Sequence, residues 1–205
     1  MLYSYLLEKY GTNEPIMLNE ISYKNYSQAW IYKQLNKLCD EEKLMKFEKG
    51  IYYIPTKTVF GNSSLNPNKV IKRKYLYNGE EAIGFYSGLT LQNQLKLTTQ
   101  VPNILEIFTN NEKSRVREVI IGNQKVILRK ARVTINNDNI DILSFLELMN
   151  SISVEDLNEY KSNLLKEYMA DKKISRKSIT KYAPIFPDKV MRNLIESELI
   201  YNVAQ

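Results

Sequence analysis

The sequence predicts an α+β protein: an N-terminal winged helix-turn-helix followed by a mixed α/β domain with C-terminal helices. Three observations carry that expectation. Gln28 to Lys43 is an amphipathic stretch free of proline and glycine, and it runs into two short alternating segments joined by Lys49-Gly50. A second group of strand-like segments lies between Asn103 and Ala131. From Ile140 onward apolar residues recur at helical spacing. The polar stretch Thr56–Lys69, rich in Asn, Ser, Pro and Gly, reads as a linker, so the boundaries fall at residues 1–58 and 70–205.

Taken in order, Leu2 to Tyr10 fits a first helix ended by Gly11, and Pro15 to Ile21 a short second one. Ser22–Tyr26 forms the turn. Ser27 is placed to cap the third helix, because its side-chain oxygen can accept a free amide of the following turn. At about 100° per residue, Ile31, Leu35 and Leu38 make the inward stripe. Ala29, Lys33 and Asn36 lie nearly opposite, with Tyr32 on one flank and Trp30 and Lys37 on the other. Leu44–Glu48 and Ile51–Ile54 then form a hairpin wing, with Lys46 and Lys49 on or near it and Pro55 closing it.

Val70 to Tyr77 reads as either helix or strand, with helix preferred, and contains the basic run Lys72-Arg73-Lys74. Tyr86 to Leu95 is expected to be helical, burying Leu89, Gln92 or Asn93, and Leu97 on one side. Asn103–Thr109 has strand character, and Glu118–Gly122 with Val126–Ala131 suggests a hairpin around Asn123-Gln124. Arg115, Arg117, Arg129, Lys130 and Arg132 charge this sheet, which either draws a polyanion or guards an edge. Asp141 to Met149 is apolar enough to be half buried. Ser153 and Asp156 resemble a capping box heading a helix to Tyr168, with Leu157, Tyr160, Leu164 and Tyr168 inward. Ser178–Tyr182 and Asp188–Leu199 supply two more helices.

Composition narrows the function. The net charge is +6, from 29 Lys and Arg against 23 Asp and Glu. Most of the surplus falls in residues 61–130, with eleven basic and five acidic groups, while residues 1–60 are nearly neutral. That balance suits a nucleic-acid partner. Cys39 is the only cysteine and there is no histidine, which removes disulfides within the chain, multi-Cys zinc sites and any Ser-His-Asp triad. Nothing in the sequence points to a cofactor or a metal. No apolar run approaches a membrane span, and the start lacks the order of a signal peptide, so no membrane partner and a cytoplasmic location are expected.

A mixed outward stripe of small, amide, basic and aromatic groups suits a helix laid in the DNA major groove. Asn can read adenine, Lys can meet guanine or phosphate, and Ala and Tyr can meet thymine methyls. The same stripe also reads as a solvated face. Lys46 and Lys49 either meet phosphate or belong to a structural wing, and Lys72-Arg73-Lys74 is either a phosphate contact or a solvated turn.

The combination of Trp30-Ile-Tyr-Lys-Gln-Leu35, Lys49-Gly-Ile-Tyr-Tyr-Ile-Pro55, Tyr86-Ser-Gly-Leu89 and Leu97-Thr-Thr-Gln-Val-Pro102 resembles the AbiEi-like antitoxins of bacterial type IV toxin–antitoxin and phage-abortive-infection systems. The resemblance runs over residues 1–135 by order of elements. It implies a DNA-binding antitoxin and autorepressor whose winged helix binds inverted repeats in its own promoter, two copies to a site. It also implies a second domain directed against a cognate nucleotidyltransferase-like toxin. The DNA-binding residues carried over are Gln28, Ala29, Tyr32, Lys33, Asn36, Lys46 and Lys49; to these the charge pattern adds Lys72, Arg73 and Lys74. The alternative is a protein-binding module that neutralises a toxin by direct contact, the winged helix being only a scaffold. Catalysis is not expected: Asp138 with Asp141, and Glu155 with Asp156, have no basic or nucleophilic partner in view.

Overall fold

The computed structural model describes residues 1–202 and has mixed α+β architecture in two compact units. The first comprises Met1–Arg73 with Ile121–Asn123, and the second Lys74–Ile120 with residues from Gln124 onward. Residues 203–205, assigned by sequence to the second domain, lie outside the described residues.

In the first unit α1 (Leu2–Tyr10) ends at Gly11, whose φ of 75° lets its amide turn back to Leu7 O. The expected second helix is not one. Ile16–Met17 forms β1, followed by a single 3-10 turn at Leu18–Glu20. The reason is tertiary: Ile16 and Met17 pair with Tyr52 and Ile51, and the sheet takes residues that local pattern assigned to a helix. Helix α2 (Gln28–Asp40) starts where Ser27 caps it, its oxygen accepting the Trp30 amide, and stops three residues before Lys43. Strands β2 (Met45–Glu48) and β3 (Ile51–Tyr53) turn at Gly50, with φ of 78°. The sheet order β1-β3-β2 is antiparallel throughout, and the sequence α1, β1, turn, α2, β2, β3 is that of a winged helix. Leu6, Ile16, Ile31, Leu35 and Leu44 are fully buried in its core.

The stretch read as a linker is structured. β4 (Lys57–Thr58) and β5 (Gly61–Asn62) form a hairpin fastened to Asn13, which donates to Thr56 Oγ1 and accepts from Ser63 Oγ. Its tip, Val59-Phe60, is fully exposed. The polar side chains that read as a linker are used here to close the hairpin: Ser63 Oγ accepts the Thr56 amide and Thr58 Oγ1 donates to Gly61 O. α3 (Pro67–Ile71) is capped by Asn66 and continues as a π-helical stretch through Leu76, as the helical alternative for Val70–Tyr77 required.

The second unit opens with a small hairpin, β6 (Tyr77–Asn78) and β7 (Glu81–Ala82), then β8 (Gly84–Ser87) and α4 (Gly88–Gln94). Tyr86 and Ser87 therefore belong to a strand, and Thr90, Leu91 and Leu97 are buried while Leu89 is exposed. β9 (Ile104–Thr109), β10 (Val116–Ile121) and β11 (Gln124–Lys130) complete a sheet in the order β10-β11-β9-β8. β9 runs antiparallel to β8 and parallel to β11. The turn between β10 and β11 falls at Gly122-Asn123.

α5 (Ile140–Ser151) is buried along nearly its whole length, not half buried. It is the centre of a core shared with Phe85 and Phe108 of the sheet and with α6 (Glu159–Asp171), α7 (Arg176–Tyr182) and α8 (Asp188–Glu196). Ser153 makes no side-chain cap bond and heads only a 3-10 turn; Asn158 caps α6, accepting the Lys161 amide. Leu157, Leu164 and Tyr168 pack against the core as expected, Leu165 and Met169 are buried more deeply, and Tyr160 is 62% exposed. A capping box does exist, at Ser175 and Ser178. Asn193 of α8 is buried and donates to Met149 O and Ile152 O, at 2.8 and 3.1 Å, which ties α8 to the carboxyl end of α5.

Candidate nucleic-acid interface

Helix α2 presents two faces. Ile31 and Leu35 are wholly buried and Leu38 is half buried. Ala29, Tyr32, Lys33 and Asn36 are all exposed and, three and four residues apart, form one stripe about 100° wide. Asp40 continues the same stripe at its carboxyl end and is followed by Glu41 and Glu42, all exposed. Negative charge there repels phosphate, so the part of α2 that suits a polyanion is the stretch before Asp40. Recognition helices of this class also make base contacts through their N-terminal residues.

The start of α2 is held by an aromatic group. Tyr26 stacks on Trp30 with centroids 3.9 Å apart, Tyr23 lies beside both, and Tyr5 bonds its hydroxyl to Ser22 O at 2.7 Å. Trp30 is therefore engaged in packing and is not part of the outward stripe. The rings border a cavity of about 360 Å³ with Met1, Leu2, Gln34 and Lys37 among its walls. Gln28, at the first position of the helix, donates its side-chain amide to Ile21 O at 3.3 Å and so braces the turn.

On the wing, Lys46 of β2 and Lys49 at the hairpin tip are exposed. Neither has an ion-pair partner among the described residues. A bulge between Lys46 and Glu48 interrupts the pairing with β3. The run Lys72-Arg73-Lys74 is divided by the fold. Lys72 is exposed, Arg73 pairs with Glu20 at 2.5 Å, and Lys74 lies over the Tyr75 ring at 5.3 Å. A run contiguous in sequence points in several directions on a helix.

The sheet cations are likewise sorted. Arg117 pairs with Glu112, Arg129 with Glu106 and Arg132 with Glu147, whereas Arg115 and Lys130 have no ion-pair partner among the described residues. Burial alone would raise the Glu112 carboxyl, but the Ser114 amide, Arg117 and the Lys113 amide together hold it below the usual carboxylate range. Sequence reasoning named the arginines but not their carboxylates, because ion pairing across strands depends on register. In comparison with known proteins, the chain matches no family model and no curated protein.

Proposed function

We propose that this chain is a sequence-specific binder of double-stranded DNA. It acts as an antitoxin and autorepressor of a type IV, AbiE-like toxin–antitoxin or phage-defence operon in the cytoplasm. The observation that carries the reading is the exposed stripe Ala29, Tyr32, Lys33 and Asn36 on the third helical position of a winged-helix order, with Lys46 and Lys49, which have no ion-pair partner among the described residues, on the wing of the same unit. Asn36 and Lys33 supply base-edge contacts, Ala29 and Tyr32 apolar ones, and the wing lysines contact phosphate. Two copies on an inverted repeat occlude the promoter. No helix among the described residues is long and apolar enough to cross a membrane.

The test is retention of the chain's own upstream DNA against a scrambled duplex at about 150 mM salt, where non-specific phosphate attraction is reduced. Selective binding is expected. Lys33→Ala with Asn36→Ala should weaken it by about 2 kcal/mol or more, each good base contact being worth about 1–3 kcal/mol, with no change in thermal midpoint. Equal affinity for both duplexes would end the reading.

A second reading has its own support. Tyr160, Ile195 and Tyr201 are exposed on the terminal helices, 62%, 48% and 68% accessible. These side chains are available to a protein partner, such as a nucleotidyltransferase-like toxin gripped directly. Co-purification with the product of the neighbouring gene, lost in Tyr160→Ser with Ile195→Ser at unchanged thermal midpoint, would favour it.

A further inference from the structure

The second unit contains a cavity of about 570 Å³, the size of pockets that take small ligands. Its walls come from the junction of β8 with α4, from β9 and β11, and from the carboxyl end of α5. Four cations line it, Arg115, Arg129, Lys130 and Arg132, against two carboxylates. Each carboxylate is engaged: Glu106 accepts Arg129 at 3.2 Å and Glu147 accepts Arg132 at 3.3 Å. Glu147 also accepts the Asn150 side-chain amide at 2.9 Å, and Arg132 lies over the Phe186 ring at 4.9 Å. These two guanidiniums are thereby fixed in place, while Arg115 and Lys130 have no ion-pair partner among the described residues.

Ser87 lines the same cavity. The residue is 2% exposed, and its buried hydroxyl has no hydrogen-bond partner among the described residues. A buried unpaired hydroxyl is destabilising, and a polar group brought into the cavity relieves that after rotation about χ1. Gly88 borders the cavity as well, and a Cβ there would fall 2.6 Å from a Glu106 carboxylate oxygen, so the wall is closely packed at the ion pair.

Two cations with no ion-pair partner among the described residues, two guanidiniums held by their own carboxylates and one orphan hydroxyl on a concave wall make a receptor for a compact dianion. We propose that this cavity binds a small phosphate ester or polyphosphate. Arg115 and Lys130 neutralise its charge, Arg129 and Arg132 present fixed donors, and Ser87 bonds a phosphoryl oxygen. The site is separate from the outward stripe of α2 and does not depend on the DNA-binding reading.

The experiment is calorimetric titration of the full chain, free of DNA, with inorganic pyrophosphate, AMP and ATP at matched ionic strength, and in a separate arm with duplex DNA. Saturable one-to-one binding of pyrophosphate or a nucleotide is expected. Arg115→Ala with Lys130→Ala should weaken it at least about tenfold, as loss of two charge-assisted contacts requires. Both residues are exposed and have no ion-pair partner among the described residues, so the thermal midpoint without ligand should not move. Arg115→Lys with Lys130→Arg should retain binding, Ser87→Ala should weaken it severalfold, and Lys33→Ala with Asn36→Ala should leave it unchanged. Absence of saturable binding by all three phosphates, or equal affinity in the Arg115→Ala, Lys130→Ala protein, overturns the proposal. So does engagement of these two residues by duplex DNA alone.

Discussion

Tyr168 of α6 stacks on Phe145 of α5 with centroids 6.3 Å apart. Burial there, together with the carboxylates of Asp141 and Asp171, pushes its phenol up to about 12 from an ordinary value of 10.0. The unfolded chain therefore loses this proton at lower pH than the folded one. The contribution is complete below about pH 10 and is lost as pH rises towards about 12, at most about 2–3 kcal/mol for a shift of this size. Urea midpoints of the native protein and of Tyr168→Phe should differ by a constant amount up to about pH 9, and the difference should change between about pH 10 and 12. A difference independent of pH across that window would mean that the phenol is no harder to ionise folded than unfolded. The same scale explains why the outward stripe of α2 is chemically open. Ala29, Tyr32, Lys33 and Asn36 have no side-chain hydrogen bond or ion pair among the described residues, whereas neighbouring Gln28 and Trp30 are both engaged.

Among the elements, β8 is the most constrained. A Cβ at Gly84 would lie 2.0 Å from Tyr75 O and 2.6 Å from Phe108 O, both backbone atoms that cannot move aside. Ile83 next to it bonds to Leu76 O through its amide and to the Asn110 amide through its carbonyl, each at 2.8 Å, which pins the strand in place. Gly84→Ala should cost about 3 kcal/mol, the top of the usual overpacking range, measured by urea unfolding. Gly79→Ala, at φ 64° with open space around it, should cost only the backbone strain of about 1–2 kcal/mol. Similar losses at the two positions would show that strand packing is not what requires Gly84. Elements set by local signals were legible in the sequence: α1 with Gly11, the Ser27 cap, the Lys49-Gly50 turn and the inward Ile31 and Leu35. Those set by distant partners were not. β1 exists because of β3, the Thr56–Ser63 hairpin is fastened by Asn13, and β11 pairs in parallel with a strand separated from it by β10. In α6 the cap was missed, Asn158 and not Ser153, and of the expected inward residues Leu157, Leu164 and Tyr168 pack against the core while Tyr160 does not. The candidate interface was readable because amphipathicity is local. The phosphate cavity was not, since Ser87, Glu106, Arg129 and Glu147 meet only through sheet register and the packing of α5.

Across the whole molecule the unit boundary changes where the charge lies. Counted to residue 60 the N-terminal segment is almost neutral, but the first unit extends to Arg73 and so contains eleven Lys and Arg against seven Asp and Glu. Part of that surplus is already engaged, with Lys69 paired to Glu14, Arg73 to Glu20 and Lys43 to Glu41. Of the eight others, Lys9 and Lys24 lie over the Tyr5 and Tyr23 rings, and six, Lys33, Lys37, Lys46, Lys49, Lys57 and Lys72, are exposed with no ion-pair partner among the described residues. If all six neutralise phosphates, the logarithm of DNA affinity should fall with the logarithm of salt at a slope of about −5 per bound copy, from −0.9 per contact. A slope much steeper than that would require cations of the second unit as well. The wing can be isolated within the same measurement: Lys46→Ala with Lys49→Ala should lower the magnitude of the slope by about 2 and weaken own-promoter and scrambled duplexes alike, because phosphate contacts carry no sequence information. An unchanged slope would take the wing off the phosphate backbone and leave the contacts to α2, Lys57 and Lys72. A loss confined to the own-promoter duplex would instead make these lysines readers of bases.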